Sequence, residues 1–225
     1  MNVKIPEHGV LYFLIITFVL FLGIVIIIFQ SAVTHPGLVE NNDSGLQAYY
    51  GYHVTFVTPY MSTVFVRLFL SNAGVALFIL LVPLYWVWIW WLNRALLSAV
   101  TWFMRGTVIL LILALGHNSF RYAYVTFSTY PFPVFMTMYF PHGWLEILAF
   151  ILSGTFSLVC IDALRVFISS RPEVPALHPG EVALFIFNRV WRIFLVIACL
   201  LAVAAAIECW ITPRMVTAIL EQVLL

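Results

Sequence analysis

Two polar side chains, His142 and Glu146, stand in the apolar stretch YFPHGWLEILAF, residues 139–150. Residues four apart share one face of a helix, so a helix here would place the imidazole beside the carboxylate. Such a pair could bind a divalent metal ion together with Glu208, which lies in another apolar stretch. The same groups could instead form a hydrogen-bonded lock between helices, or line a pathway for an ion or a proton.

The lock is the interpretation that we favour. The His-Glu-x-x-His pattern of many zinc enzymes is absent, and no third ligand is adjacent to His142 or Glu146 in sequence. No nucleophile motif or phosphate-binding glycine loop is present either. We therefore predict no catalytic residues, no metal site and no cofactor.

Composition places these groups in a membrane protein. Hydrophobic residues make up 64% of the chain and charged residues only 8%, whereas soluble proteins average about 25% charged residues. A soluble fold could not bury so much apolar surface, so the main partner of the chain is the lipid bilayer. A formal net charge of +1, without a basic run, indicates no nucleic-acid partner.

Five apolar segments are long enough to cross a bilayer, which takes about 20 helical residues. They cover residues 10–29, 68–93, 100–120, 143–164 and 193–211. Pro83 lies near the middle of the second segment and should kink it. We predict an all-α polytopic transmembrane helical bundle of about five spans plus interfacial or re-entrant helices, in a single transmembrane domain over residues 1–225.

The distribution of basic residues predicts the orientation in the cell membrane. Residues 30–66 contain no Lys or Arg, whereas the linker 165–192 carries four arginines: Arg165, Arg171, Arg189 and Arg192. The positive-inside rule then places the N-terminus and this linker in the cytoplasm and the C-terminus outside. The aromatic-rich segment 117–140, interrupted by prolines, should lie in the outer interface, and the tail after Pro213 should form an amphipathic helix on the membrane surface.

Depth along the spans predicts where the polar groups meet. A helix rises about 1.5 Å per residue, and counting from the span ends brings five residues to one depth near the outer side: Arg67, Asn72, His142, Glu146 and Glu208. A carboxylate in hydrocarbon needs a partner or a proton, and Arg67 is the available cation. Pro141 and Gly143 should form the turn that leads into the fourth span. Asp162 should return to the cytoplasmic interface beside Arg165.

Three segments carry a family resemblance. FPHGWLEILAFILSG, residues 140–154, resembles the Pro-His-Gly-x-x-Glu signature of the stage II sporulation protein M family of small polytopic membrane proteins. ACLLAVAAAIECWITP, residues 198–213, is similar to the closing Ile-Glu-x-x-x-Thr-Pro segment of that family. FLSNAGVALFILLVP and WLNRALLSA resemble its second-span region, although Asn93 is followed by Arg94 where the family often has Asn-Gly.

The resemblance implies a membrane component of a larger complex. The namesake of the family works with peptidoglycan-degrading partners during engulfment, as a membrane anchor and organiser. We therefore predict a non-catalytic scaffold or permease-like component, linked to cell-envelope remodelling, with other membrane or envelope proteins as partners. The alternatives are a transporter or channel subunit that uses the Glu/His site, and a membrane-embedded metalloenzyme. The small residues Ala202, Ala204, Ala205 and Ala206 would let another helix approach span five closely, within the chain or in a homodimer.

Overall fold

A computed structural model describes the backbone of residues 8–34, 61–85, 97–129, 132–169 and 179–224. These residues form helices and no strand. The helices are α1 (Gly9–Thr34), α2 (Met61–Leu80), α3 (Leu97–Thr129), α4 (Phe132–Ser169), α5 (Pro179–Ala206), a π-helix (Ile207–Ile211) and α6 (Thr212–Leu224). Five segments of the described chain are long and apolar enough to cross a membrane. The prediction of an all-α membrane bundle is thereby confirmed.

Helix α4 is the centre of the bundle. It packs against each of the other α-helices, with α1 and α3 together on one side and α2 and α5 together on the other. A side chain at Gly154 would come within 3.1 Å of Ile112 and Ile16, so small residues on α4 let its neighbours approach closely. The alanines of span five serve a similar purpose, since Ala204 and Ala205 are fully buried within the chain.

Helices α1 and α3 run parallel and touch through glycines. A Cβ atom at Gly23 would lie 2.7 Å from the carbonyl oxygen of Leu113, and one at Gly116 would lie 2.6 Å from that of Leu20. Both contacts are with backbone, which cannot move aside as a side chain can. Only glycine therefore permits this crossing, as in other membrane bundles where small residues allow backbones to meet.

The predicted turn at Pro141 and Gly143 is wrong. Helix α4 begins at Phe132 and passes through Pro141 without a break. Proline removes the helical donor to the carbonyl of Thr137, but a transmembrane helix tolerates that loss where neighbouring groups compensate. The segment 117–140 is helical to Thr129 and again from Phe132, in continuation of α3 and α4. Its placement in the outer interface stays a prediction.

The arginine-rich linker 165–192 is also shorter than predicted. Helix α4 continues to Ser169 and α5 begins at Pro179, so Arg165, Arg189 and Arg192 lie on helices. Charge marks where an apolar run ends, but arginine is a good helix former and a helix need not stop there. The helix expected after Pro213 is confirmed as α6, which packs against α4.

Helix α2 ends before the predicted kink at Pro83. Its last residue is Leu80, a turn follows at Leu81, and a short helical stretch covers residues 82–85. The proline therefore interrupts the helix where a bend was expected. Asn93, the polar residue that the family resemblance marks after this segment, lies outside the described residues.

Candidate functional site

Helices α2 and α4 meet through an amide and a carboxylate. The side chain of Asn72 on α2 donates a hydrogen bond from Nδ2 to Oε1 of Glu146 on α4. Glu146 lies one helical turn after His142, so both side chains extend from the same face of α4. Sequence depth alone had predicted that these residues share one level of the bundle, and the structure brings them together.

The imidazole of His142 has a polar neighbour at each of its two nitrogens. Nε2 lies 3.9 Å from Oε2 of Glu208 in the π-helix, and Nδ1 lies 3.4 Å from Oγ1 of Thr212 at the start of α6. His142 is buried, whereas the Glu208 side chain is 33% exposed. Glu208 also interacts electrostatically with Glu146. We call Asn72, His142, Glu146, Glu208 and Thr212 the carboxylate cluster.

The π-helix positions one side of this cluster. Pro213 has no N–H to give to the carbonyl of Cys209, so the ladder of helical hydrogen bonds loses one bond at this point. The N–H of Thr212 bonds instead to the carbonyl of Ile207, five residues back. This wider turn places Glu208 and Thr212 against the same imidazole, and such π-bulges occur frequently at functional sites. Sequence reasoning missed Thr212, although the Thr-Pro pair was the signal for an irregular helix.

Arg67 does not join the cluster. It is five residues before Asn72 on α2, which is about 140° around a helix of 3.6 residues per turn. Its side chain is exposed, and within the described part of the chain no ion pair links it to Glu146 or Glu208. Helix rise predicts only the depth of a residue along its span, and Arg67 is excluded by the direction in which its side chain points.

A second cluster, which the sequence did not predict, lies about 24 Å further along α4, since 16 residues separate Glu146 from Asp162. The Tyr12 hydroxyl of α1 donates to Oδ2 of Asp162, and Nη2 of Arg105 on α3 forms an ion pair with Oδ1. We predicted that Asp162 lies beside Arg165, but its partner in the structure is Arg105 on the neighbouring helix α3. The position of Asp162 at the cytoplasmic interface stays a prediction. We call Tyr12, Arg105 and Asp162 the arginine cluster.

Comparison with models of known protein families shows to which family the chain belongs. The family model described as Stage II sporulation protein M matches residues 12–213. The chain belongs to the stage II sporulation protein M family. The match extends from Tyr12 to Pro213 and so includes both polar clusters of this family member. No curated protein and no solved structure shows significant similarity to it.

The clusters of this stage II sporulation protein M family member differ in what they could bind. Among the described residues, no group of three or more His, Cys, Asp and Glu side chains is arranged to hold a metal ion. The carboxylate cluster combines two acids with one imidazole, an amide and a hydroxyl. Groups of these types can exchange protons and can join helices inside a membrane.

Proposed function

We propose that this protein is a non-catalytic membrane scaffold, a component of a larger membrane complex linked to cell-envelope remodelling. The observation that supports it is the mutual engagement of polar side chains in the carboxylate cluster. Asn72 bonds to Glu146, and His142 lies between Glu208 and Thr212. These contacts tie α2, α4, the π-helix and α6 together, as interhelical hydrogen bonds do in other membrane bundles.

The arginine cluster supports the same function from the other end of α4. It joins α1 and α3 to α4 through Asp162. Each half of the bundle is thus fastened to one central helix, which would present a fixed surface to partner proteins. Membership of the family is consistent with an organising role, since the namesake protein anchors and organises envelope partners.

Co-purification tests the scaffold proposal. The full-length protein, tagged and cross-linked in its native membranes, would be purified and its partners quantified by mass spectrometry. We expect a reproducible partner set that is retained in Glu146→Gln, because a glutamine carbonyl still accepts the Asn72 hydrogen bond. Gly143→Ala is the matched control on the same helix, since a Cβ there meets nothing within 4 Å. Absence of any reproducible partner, or loss of all partners in a folded Glu146→Gln protein, would contradict the proposal.

The second candidate is a subunit that moves an ion or a proton across the membrane. It is favoured by the pairing of two acidic side chains inside a transmembrane bundle, one of them, Glu208, a third exposed. Ionisable groups at such positions often mark transport pathways. Proteoliposomes with an imposed pH or cation gradient would measure flux. Loss of flux in Glu146→Gln and Glu208→Gln, with the Gly143→Ala control unaffected, would favour transport over scaffolding.

A further inference from the structure

Helix α2 breaks inside the protein and not at its surface. It ends at Leu80, and Leu81 forms a turn. Ile79, Leu80 and Val82 are all fully buried, and Pro83 is buried as well. At a helix end in water, the unpaired carbonyls accept hydrogen bonds from solvent. At a buried helix end, they need other donors or ligands.

The break leaves two backbone carbonyls without helical donors. Pro83 has no N–H, so the carbonyl of Ile79 cannot receive the usual bond from the residue four positions ahead. The N–H of Leu84 bonds to the carbonyl of Leu81 at 2.8 Å, so it does not continue the helix to Leu80. Both carbonyls point along the C-terminal end of α2, where the helix dipole is negative.

A polar side chain of α4 lies at the same level. Helix α2 starts beside the π-helix, where the rings of Phe65 and Trp210 are 5.1 Å apart, and its Asn72 then bonds to Glu146. Trp210 is two residues after Glu208, which faces His142, so Phe65 lies near the level of His142, and both chains then advance to the Asn72–Glu146 bond. Helices α2 and α4 therefore run in the same direction. Eleven residues, or about three turns, lead from Asn72 to Pro83 and equally from Glu146 to Ser157. Ser157 is therefore level with the break and on the Glu146 face of α4.

The hydroxyl of Ser157 has no protein partner among the described residues. The residue is completely buried, and its Oγ atom makes no hydrogen bond. Its neighbours behave differently, because Ser153 and Thr155 each donate to the carbonyl four residues back at 2.8 Å. A buried hydroxyl without a partner destabilises the folded state, because it has lost its hydrogen bonds to water. These three buried oxygens thus lie near one level of the bundle, and the described part of the chain supplies no hydrogen-bond donor to them.

We propose that the carbonyls of Ile79 and Leu80 and the hydroxyl of Ser157 bind a monovalent cation. Oxygen ligands suit hard cations, and a set without a carboxylate suits a single positive charge better than a double one. Interrupted transmembrane helices use freed carbonyls at their C-terminal ends in this way. The next carboxylate along α4, Asp162, is already bonded to Tyr12 and Arg105. This inference is independent of the scaffold proposal.

Thermal unfolding of the full-length protein in detergent tests the site. Sodium chloride would be compared with choline chloride at equal ionic strength. We expect saturating sodium to raise the apparent Tm by about 3 °C or more, because a ligand that binds only the folded state stabilises it. Ser157→Ala should lose that shift. Ser153→Ala should keep it, since the Ser153 hydroxyl is already bonded within the helix.

A second variant keeps the test decisive where Ser157→Ala unfolds. Pro83→Ala supplies the missing N–H to Ile79, so it should raise the Tm in choline and abolish the response to sodium. Binding of radioactive sodium to the purified protein should fall at least tenfold in both variants. A wild-type Tm that is insensitive to sodium, which would mean that water fills the site, would overturn the proposal. So would an equal sodium response in Ser157→Ala and wild type.

Discussion

The two polar clusters of α4 solve the burial of charge in different ways. In the arginine cluster, Asp162 forms an ion pair with the Arg105 guanidinium and accepts a hydrogen bond from the Tyr12 hydroxyl. The negative charge of Asp162 is therefore balanced. In the carboxylate cluster, the two acids meet an imidazole, an amide and a hydroxyl. Within the described ranges no Lys or Arg pairs with either acid. A balanced pair is complete as it stands, whereas two acids facing one imidazole need a proton or a cation.

The helices that contribute to the two clusters also differ in the regularity of their backbone. On the arginine side, α1 and α3 are regular, and Tyr12 precedes Gly23 by the same eleven residues that separate Arg105 from Gly116. The parallel pair therefore keeps one register from the ion pair to the glycine crossing. Where α4 meets α2 and the π-helix, the backbone is irregular, because α2 breaks after Leu80 and a π-helix precedes α6. Irregular backbone at membrane depth is tolerated where protein surrounds it, and it often lines a binding site. The comparison assigns stability to the contacts of α4 with α1 and α3, and ligand chemistry to its contacts with α2 and the π-helix.

Neutralising Asp162 should have the largest effect on stability. Asp162→Asn keeps the shape of the side chain but leaves Arg105 without a counter-charge, which should lower the free energy of unfolding by about 2–4 kcal/mol. Unfolding in detergent with increasing SDS would measure it. The double variant Arg105→Met with Asp162→Asn should recover at least half of the loss, because no uncompensated charge remains. If the double variant is as unstable as the sum of the single ones, the two charges are not coupled.

Widening the glycine crossing should come next. Gly116→Ala places a Cβ against the carbonyl of Leu20 and should cost about 1–3 kcal/mol, as overpacking does in other cores. Gly106→Ala on the same helix is the matched control, since a Cβ there meets nothing within 4 Å. The control should be neutral or stabilising by up to about 1 kcal/mol, because alanine favours the helix. Equal effects of the two variants would show that α1 and α3 do not depend on this contact.

The sequence predicted the position of the polar groups along the bundle better than it predicted which groups interact. Hydropathy and helix rise located five spans and brought Asn72, His142, Glu146 and Glu208 to one end of the bundle, because depth depends on distance along one helix. Which groups interact depends on the rotation of each helix about its own axis and on which helices pack together. Neither can be read from a short stretch of sequence. Arg67 was therefore included although it points away. Helix ends failed for a related reason: hydropathy reports where the bilayer ends, while α4 continues through Pro141 and beyond Arg165.

Removing the phenol hydroxyl should have a smaller effect than removing the charge. Tyr12→Phe deletes the hydrogen bond to Asp162 and retains the ion pair with Arg105, so we expect a loss of about 1 kcal/mol. Tyr85→Phe is the matched control, because that ring is 45% exposed. The same SDS titration would measure both. A loss as large as that of Asp162→Asn would mean that the hydroxyl, and not the guanidinium, is the main partner of Asp162.

The smallest effect on stability should come from neutralising Glu146, and this contrast is the sharpest test of the comparison. Glu146→Gln is the same isosteric change as Asp162→Asn, made at the other end of α4. The glutamine carbonyl can still accept from Asn72, and the change removes one of two interacting acids. We therefore expect a change within about 0.5 kcal/mol, of either sign. A loss as large as that in Asp162→Asn would mean that Glu146 has a bound cation or another positive partner, and that this end of α4 is charge-balanced after all. A negligible change would show that the charge of Glu146 is not required for folding, in contrast to that of Asp162.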